Sequence, residues 1–426
     1  HAAACKAVYA GSIPTPASSS NLAAALKTFP TTSARGGSAA MRPHKARGRI
    51  VRNVATDPAP AAPPPQHAGG SAGVLRDAAR SLSPAYFAMV MATGIVSLAA
   101  HLMDLPRTAQ ALFRLNVAAY AVIWLLTVLR AIWYPRELWR DLTDHARGFG
   151  FFTSVAASGV LGSQFIVLGG DFAVAKTLWI LAIVLWLGLN YTVFTAFTIK
   201  ETKPPLDKGI SGAWLLSVVA AQSIAVLSSY LAAHWERPYR LELNFLALSM
   251  WLWGGMLYIW MISLIFYRYT FLRFQPNDLS PPYWINMGAM AISTLAGSRL
   301  ILNMPDAPFL ASLGPFLKGF TVLYWATGTW WIPMLVVLLV WRHVYARFPL
   351  TYDPLYWGAV FPLGMYAACT YELAHALELE FLFPIPPYLL TVALAAWALT
   401  FFGLVRTLGR AFLARVRAGS RPRTGG

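Results

Sequence analysis

The chain of 426 residues contains ten apolar stretches of roughly 18–25 residues each, joined by short loops. A helix needs about 20 mostly apolar residues to cross the hydrocarbon core of a bilayer. Only 12% of the residues are charged, about half the share of a soluble domain. The sequence therefore predicts an all-α integral membrane protein without room for a soluble catalytic domain. The predicted spans are 84–101, 112–132, 148–168, 174–198, 211–233, 243–266, 282–302, 319–341, 355–377 and 385–405.

The net charge of +17 is interpreted as a sign of orientation and not of nucleic-acid binding. Cytoplasmic loops of membrane proteins are enriched in Lys and Arg. From residue 42 onward, 24 of these residues fall in the two tails and the loops of one side, and 7 fall on the other side. We expect a multi-pass protein of a bacterial-style plasma membrane with both termini cytoplasmic, which requires an even number of spans.

The two ends of the chain differ from the spans in composition. Residues 1–83 are basic and rich in Pro and Ala, and they contain no acidic residue before Asp57, so we expect a disordered tail. Met41 is the only methionine before the first span, and residues 1–40 are interpreted as an upstream extension of the reading frame that is not native. The predicted membrane domain covers 84–410, and a basic cytoplasmic tail covers 411–426.

The odd-numbered spans repeat with a period of roughly 63–73 residues, which predicts five helical hairpins in tandem. Odd spans carry small and polar residues, whereas even spans are dominated by Leu, Val, Ile and Trp. The simplest arrangement places odd helices inside and even helices against lipid. The small residues fit either close helix packing or a path through the membrane, and the amides favour a path because they need partners or water. The candidate pore-lining residues are Thr93, Gly94, Ser158, Gly159, Gln164, Gln222, Ser223, Asn286, Thr294 and Gly364.

One odd span contains a Phe-Pro pair, Phe361 and Pro362, between two glycines. Proline lacks the N–H of the helix ladder and clashes with the carbonyl one turn back. Such a break is tolerated at membrane depth only where the freed carbonyl faces protein or water. Phe361 is therefore expected to lie beside a cavity, where it would act as a plug.

Two motifs resemble the tellurite-resistance/C4-dicarboxylate transporter family, to which the slow-type anion channel of plant guard cells also belongs. They are PAYFAMVMATGIVS at 84–97 and WGAVFPLGMY at 357–366. The resemblance covers about residues 83–410, and the bacterial dicarboxylate, yeast malate permease and sulfite exporter branches are more similar than the plant branch. It implies a homotrimer in which five inner helices surround a quasi-five-fold central pore for small anions. It also implies that Phe361 is the phenylalanine that occludes this pore. One departure is that only Pro362 lies deep in an odd span, whereas the family has prolines in most inner helices.

Few charged residues lie inside the predicted spans. Arg299 either attracts anions in an outer vestibule or reaches lipid headgroups. Glu372 either pairs with Arg299 or titrates and couples protons to carboxylate uptake. Glu372 and His375 have a spacing found in metal sites, but the spans lack the further ligands that such sites need, so no metal and no cofactor are expected. Lipid anchoring is the expected role at the cytoplasmic helix ends for Arg147, Lys200, Arg268, Arg342 and Arg347.

The combined prediction is passage of small anions through a Phe-gated pore, without enzymatic activity. Malate, succinate, sulfite, tellurite, nitrate and chloride all stay open, because a pore of amide, hydroxyl and backbone dipoles selects by diameter and weak field. A proton-coupled dicarboxylate symporter is the alternative. A membrane enzyme that uses Asp141, Asp144 and His145 is less favoured, because the surrounding arginines indicate a solvated charged loop.

Overall fold

The computed structural model describes residues 71–235 and 239–419, and every regular element in this part of the chain is a helix. Ten long helices follow one another and are numbered α1 to α10. They are α1 Phe87–Leu102, α2 Pro106–Trp133, α3 Phe152–Gln164, α4 Phe172–Ile199, α5 Leu216–His234, α6 Tyr239–Phe271, α7 Ile285–Leu302, α8 Gly314–Val340, α9 Trp357–Leu377 and α10 Ile385–Gly419. Shorter helices are Ser71–Ser81, Pro135–Leu142, Leu206–Gly209 and Pro308–Ser312.

Nine of the ten, all except α9, are long and apolar enough to cross a membrane, as judged over the described residues. This count differs from the ten predicted spans. Helix α9 has 21 residues, but Pro362, Glu372 and His375 lower its mean hydropathy. It packs against α1, α7 and α10, so neighbouring helices and not lipid cover much of its surface.

Burial separates the odd helices from the even ones. In the odd helices among the nine, from 72% to 94% of the most apolar stretch is buried, against 11% to 50% in the even helices. The prediction that odd helices lie inside is confirmed.

The odd helices form a closed ring. Each contacts the next in the order α1, α3, α5, α7 and α9, and α9 contacts α1. A 3₁₀ turn precedes every odd helix, and the five turns contact one another in the same cyclic order. These turns are Pro84–Tyr86, Gly148–Phe151, Gly212–Leu215, Pro281–Trp284 and Pro354–Tyr356. All odd helices therefore start at the same end of the ring, which is called the turn end here, and the opposite end is called the far end.

Three arginines near the ends of outer helices stabilise the turn end. Each donates to the backbone carbonyl that lies two residues before the 3₁₀ turn of its own hairpin. The pairs are Arg130 to Leu82 at 2.7 Å, Arg268 to Ile210 at 2.5 Å, and Arg342 to Leu279. All three side chains are buried, so the predicted lipid anchoring is wrong for Arg268 and Arg342. Carbonyls just before a helix need donors, and a guanidinium reaches them from the neighbouring helix.

The helices extend into both predicted tails. Ser71–Ser81 is helical, and its Arg80 pairs with Glu137 at 2.8 Å, so the predicted disorder is wrong for these residues. Helix α10 continues to Gly419 and includes most of the predicted C-terminal tail. Residues 1–70, with the extension assigned to 1–40, and residues 420–426 lie outside the described residues.

Candidate functional site

A cavity lies at the centre of the ring, and all five odd helices line it. Its polar lining comes from Ser163, Ser223 and Tyr230, and the remaining lining is apolar or glycine. Its volume is about 20 Å³, which gives room for about one water molecule. The centre of the protein is therefore narrow and mostly apolar.

Phe361 is not among the residues that line this cavity, but it lies on the same face of α9 as two that are. Met365 and Ala368 line the cavity, and residues four and seven positions apart share one face of a helix. Phe361 therefore points toward the ring axis one turn closer to the turn end, and its side chain is fully buried.

Pro362 packs against α7 at a glycine. A Cβ atom added to Gly288 would lie 2.6 Å from Cγ of Pro362. The proline ring therefore occupies the space that the missing side chain of Gly288 leaves. Because Pro362 has no N–H, the carbonyl of Gly358 lacks its usual helical donor, and α9 is locally less constrained beside Phe361.

Only two of the ten predicted pore-lining residues, Gly159 and Ser223, line the cavity. Five others bond to outer helices and not to the central space. The bonded pairs are Thr93 with Trp397 at 3.0 Å, Ser158 with Tyr120 at 2.7 Å, Gln164 with Asn116 at 2.7 Å, Gln222 with the carbonyl of Trp251 at 3.0 Å, and Asn286 with Tyr269 at 3.2 Å. Polar groups at membrane depth need partners inside the protein, and the outer helices supply them.

The last three predicted lining residues also belong to helix packing. Thr294 donates to the carbonyl of Met290 in its own helix. Gly94 and Gly364 permit close contacts, because a Cβ atom would lie 2.6 Å from Val160 and 2.8 Å from Val96, respectively. Eight of the ten predicted residues thus lie outside the lining of this cavity, and their part in a pore stays a prediction.

Sequence reasoning missed the role of the outer-helix tryptophans. Three indole N–H groups donate to polar side chains of inner helices: Trp397 to Thr93, as above, Trp179 to Ser228 at 2.8 Å and Trp325 to Thr370 at 3.1 Å. The indole N–H groups of Trp124, Trp186 and Trp253 are buried without a partner among the described residues. The available signal was the presence of Trp in every even span. A buried indole N–H needs a partner, so these residues predict polar contacts between inner and outer helices.

Arg299 and Glu372 meet toward the far end of the ring. Nη1 of Arg299 lies 3.4 Å from Oε2 of Glu372, and the guanidinium lies over the ring of Tyr230 at 4.3 Å. Tyr230 itself lines the central cavity. The positive charge next to the cavity is therefore balanced by a carboxylate.

The residues considered for a metal site and for an enzyme site make other contacts in the structure. Among the described residues no three His, Cys, Asp or Glu side chains are grouped to hold a metal ion. Asp141 is buried and pairs with two arginines at 2.6 and 3.1 Å, which differs from the predicted solvated loop. Asp144 accepts backbone N–H groups. His145 stacks on Phe197 with ring centroids 4.0 Å apart, and desolvation together with Lys200 lowers the pKa of His145.

Several known proteins are similar in sequence to this chain. The model of a family described as voltage-dependent anion channel matches residues 81–405. A protein named as an uncharacterized transporter of Methanocaldococcus jannaschii is 27% identical over 353 residues, which are 80% of this chain and 97% of that relative. An uncharacterized membrane protein of Mycobacterium tuberculosis is 40% identical over 158 residues, which are 36% of this chain and 80% of the relative. A sulfite efflux pump of Candida albicans is 20% identical over 328 residues, which are 71% of this chain and 68% of the pump.

Proposed function

The chain belongs to the voltage-dependent anion channel family, and from this premise we propose that it passes small inorganic anions or dicarboxylates through the centre of its inner ring. The observation that carries the proposal is the cavity that all five odd helices line, with Phe361 one turn away on the same face of α9. In this proposal the five odd helices form a quasi-five-fold pore. Helix α9 crosses the membrane as the tenth span, and its contacts with α7 and α1 support this.

Phe361 is the gate of this pore. A narrow apolar constriction excludes water and leaves an anion without its hydration shell. Removing the phenyl ring would open a continuous path from the turn end to the cavity. Pro362 supports this role because it leaves the adjacent backbone free to adjust.

The substrate is a small anion selected by diameter and by ease of dehydration. The lining supplies three hydroxyl groups and no uncompensated charge, so it has no strong ligand for one particular anion. Sulfite, the substrate in the name of the Candida albicans relative, belongs in the test panel with malate, succinate, tellurite, nitrate and chloride.

The gate is tested by replacing Phe361 with Ala and measuring anion flux in proteoliposomes together with thermal stability. We expect flux to rise several-fold while the protein stays folded. The matched control is Phe149→Ala, because Phe149 is equally buried but packs against Phe194 and Trp214 outside the cavity lining. That control should lose about 3–5 kcal/mol of stability without a gain in flux. A Phe361→Ala protein that is destabilised and carries no extra flux would show that Phe361 is only a packing residue.

A proton-coupled symporter is the second candidate, and the pair of Arg299 and Glu372 beside Tyr230 favours it. Protonation of Glu372 would free the guanidinium to attract a carboxylate. Under this mechanism Glu372→Gln abolishes the part of malate uptake that an inward proton gradient drives, and it leaves uptake without a gradient in place. Equal responses to the gradient in wild type and variant would exclude coupling through Glu372.

The homotrimer is also part of the proposal. Large apolar side chains are exposed on the outer helices, for example Leu125, Val184 and Leu399, and lipid and neighbouring subunits can share this surface. Native mass spectrometry should give three times the chain mass of 46.7 kDa. A purely monomeric species at the same detergent-to-protein ratio would contradict it.

A further inference from the structure

The three arginines of the turn end make the same backbone bond but differ in how their charges are balanced. Arg130 lies 2.6 Å from Asp141, and Arg268 lies 3.3 Å from Asp278. Arg342 has no carboxylate partner within the described residues, although only 8% of it is exposed. The guanidinium carbon of Arg342 lies 4.3 Å from the centre of the Phe348 ring, which is a cation–π contact. A buried cation without a counter-charge is costly.

A separate pocket lies beside Arg342, between the 3₁₀ turn that precedes α7, the end of α8 and the start of α9. Its wall includes Ser280, Trp284, Arg342, Tyr356 and Ala359. No Asp or Glu lines it. Its volume is about 20 Å³, which leaves room for one small species such as a water molecule or a monatomic ion.

The pocket presents positive charge and hydrogen-bond donors. The Nε atom of Arg342 is buried and has no protein partner. The Nε atoms of Arg130 and Arg268 share this property, so the missing carboxylate and the pocket distinguish Arg342. The hydroxyl groups of Ser280 and Tyr356 are further donors on the wall. Buried polar groups without a protein partner commonly mark a bound water or ion.

We propose that this pocket binds a small inorganic monoanion of about the size of chloride. The anion balances the charge of Arg342 as Asp141 and Asp278 do for the other two arginines. Its size excludes dicarboxylates from the pocket. Ala359 lies two residues before Phe361, so the bound anion would also fix the position of the first turn of α9. An effect of this turn on the gate rests on the proposed function.

The binding test compares melting temperatures of the purified protein in sodium chloride and in sodium gluconate at equal ionic strength. Gluconate is too large for the pocket. We expect chloride to raise the melting temperature, and the shift should grow with the logarithm of chloride concentration above the dissociation constant. Ala359→Leu fills the pocket and should abolish the shift. Ala368→Leu is the matched control, because Ala368 lines the central cavity, and it should retain the shift.

A second measurement does not depend on the folding of a variant. Crystals of the wild-type protein soaked in bromide should show an anomalous difference peak beside the guanidinium of Arg342. Equal melting temperatures in both salts together with no bromide peak would refute the site. A shift lost in Ala368→Leu and kept in Ala359→Leu would assign the anion to the central cavity and also overturn the proposal. A melting temperature that responds to added phospholipid and not to chloride would identify a lipid phosphate instead. None of these readouts uses transport, so their failure leaves the test of Phe361 intact.

Discussion

At the residue scale, the contact between Pro362 and Gly288 explains how α9 carries a proline within the ring. The proline ring projects toward α7, and glycine is the one residue type without a Cβ atom in its way. The separation of 2.6 Å between a Cβ atom at Gly288 and Cγ of Pro362 is far below an ordinary contact. The proline ring is rigid, so a larger residue at 288 would have to move a helix.

Gly288→Ala is therefore expected to destabilise the protein by about 1–3 kcal/mol, the usual cost of overpacking. This happens even though alanine is the better helix former by about 1 kcal/mol. Gly319→Ala is the control, because a Cβ atom there meets no atom within 4 Å, and it should leave stability unchanged or slightly higher. Thermal or denaturant unfolding of both variants measures the difference. Equal stabilities would mean that the ring of Pro362 does not pack in this position.

At the element scale, the outer helices position the inner ones through side-chain bonds. Indole N–H groups bond to inner helices at membrane depth, and guanidinium groups bond to the carbonyls before the 3₁₀ turns. Arg130 has the closest ion pair of the three arginines, to Asp141. Removal of one member leaves the other buried and uncompensated.

Arg130→Met is accordingly expected to cost about 3–5 kcal/mol, and the double variant Arg130→Met with Asp141→Leu should recover part of this loss. The exposed Arg140 provides the control, and Arg140→Met should change stability by less than about 0.5 kcal/mol. Unfolding of the wild type, Arg130→Met, Asp141→Leu and the double variant in one detergent gives the coupling free energy. A double variant that is as unstable as the sum of two large single losses would contradict the ion-pair assignment.

At the scale of the whole molecule, the five hairpins share one direction because their 3₁₀ turns meet at one end. The three buried arginines cannot contact lipid headgroups, so they do not contribute to orientation by that route. Without them the count of Lys and Arg is still 21 against 7. The turn end and both termini are therefore expected on the cytoplasmic side.

This orientation is checked with reporter fusions. A fluorescent protein that matures only in the cytoplasm should be bright at either terminus, and a periplasmic phosphatase should be inactive at both. A phosphatase fused in the loop between α8 and α9 should also be inactive, and one in the loop between α9 and α10 should be active. Phosphatase activity at a terminus would reverse the orientation.

The architecture could be predicted from the sequence, but the cavity lining could not. The repeat and the contrast between odd and even spans indicate hairpins with odd helices inside, because apolarity measures contact with lipid. A polar residue on an inner helix has the same appearance whether it faces the centre or an outer helix. Gln164 and Gln222 therefore looked like pore residues. In the same way, the sequence does not distinguish an arginine that is buried at a helix end, as Arg268 is, from one that is anchored in lipid.

The closed ring also has a consequence for the order of events during translation. The bond from Trp397 to Thr93 joins residues 304 positions apart, and the contact between α9 and α1 closes the ring. Helix α1 is the first inner helix to leave the ribosome, but its neighbour α9 is made only when the chain is nearly complete. Four hairpins inserted alone form an open arc with an unpaired edge, and the insertion machinery or another chaperone would have to shield it. Protease resistance of nascent chains of graded length should therefore appear in one late step, after α9 has been synthesised.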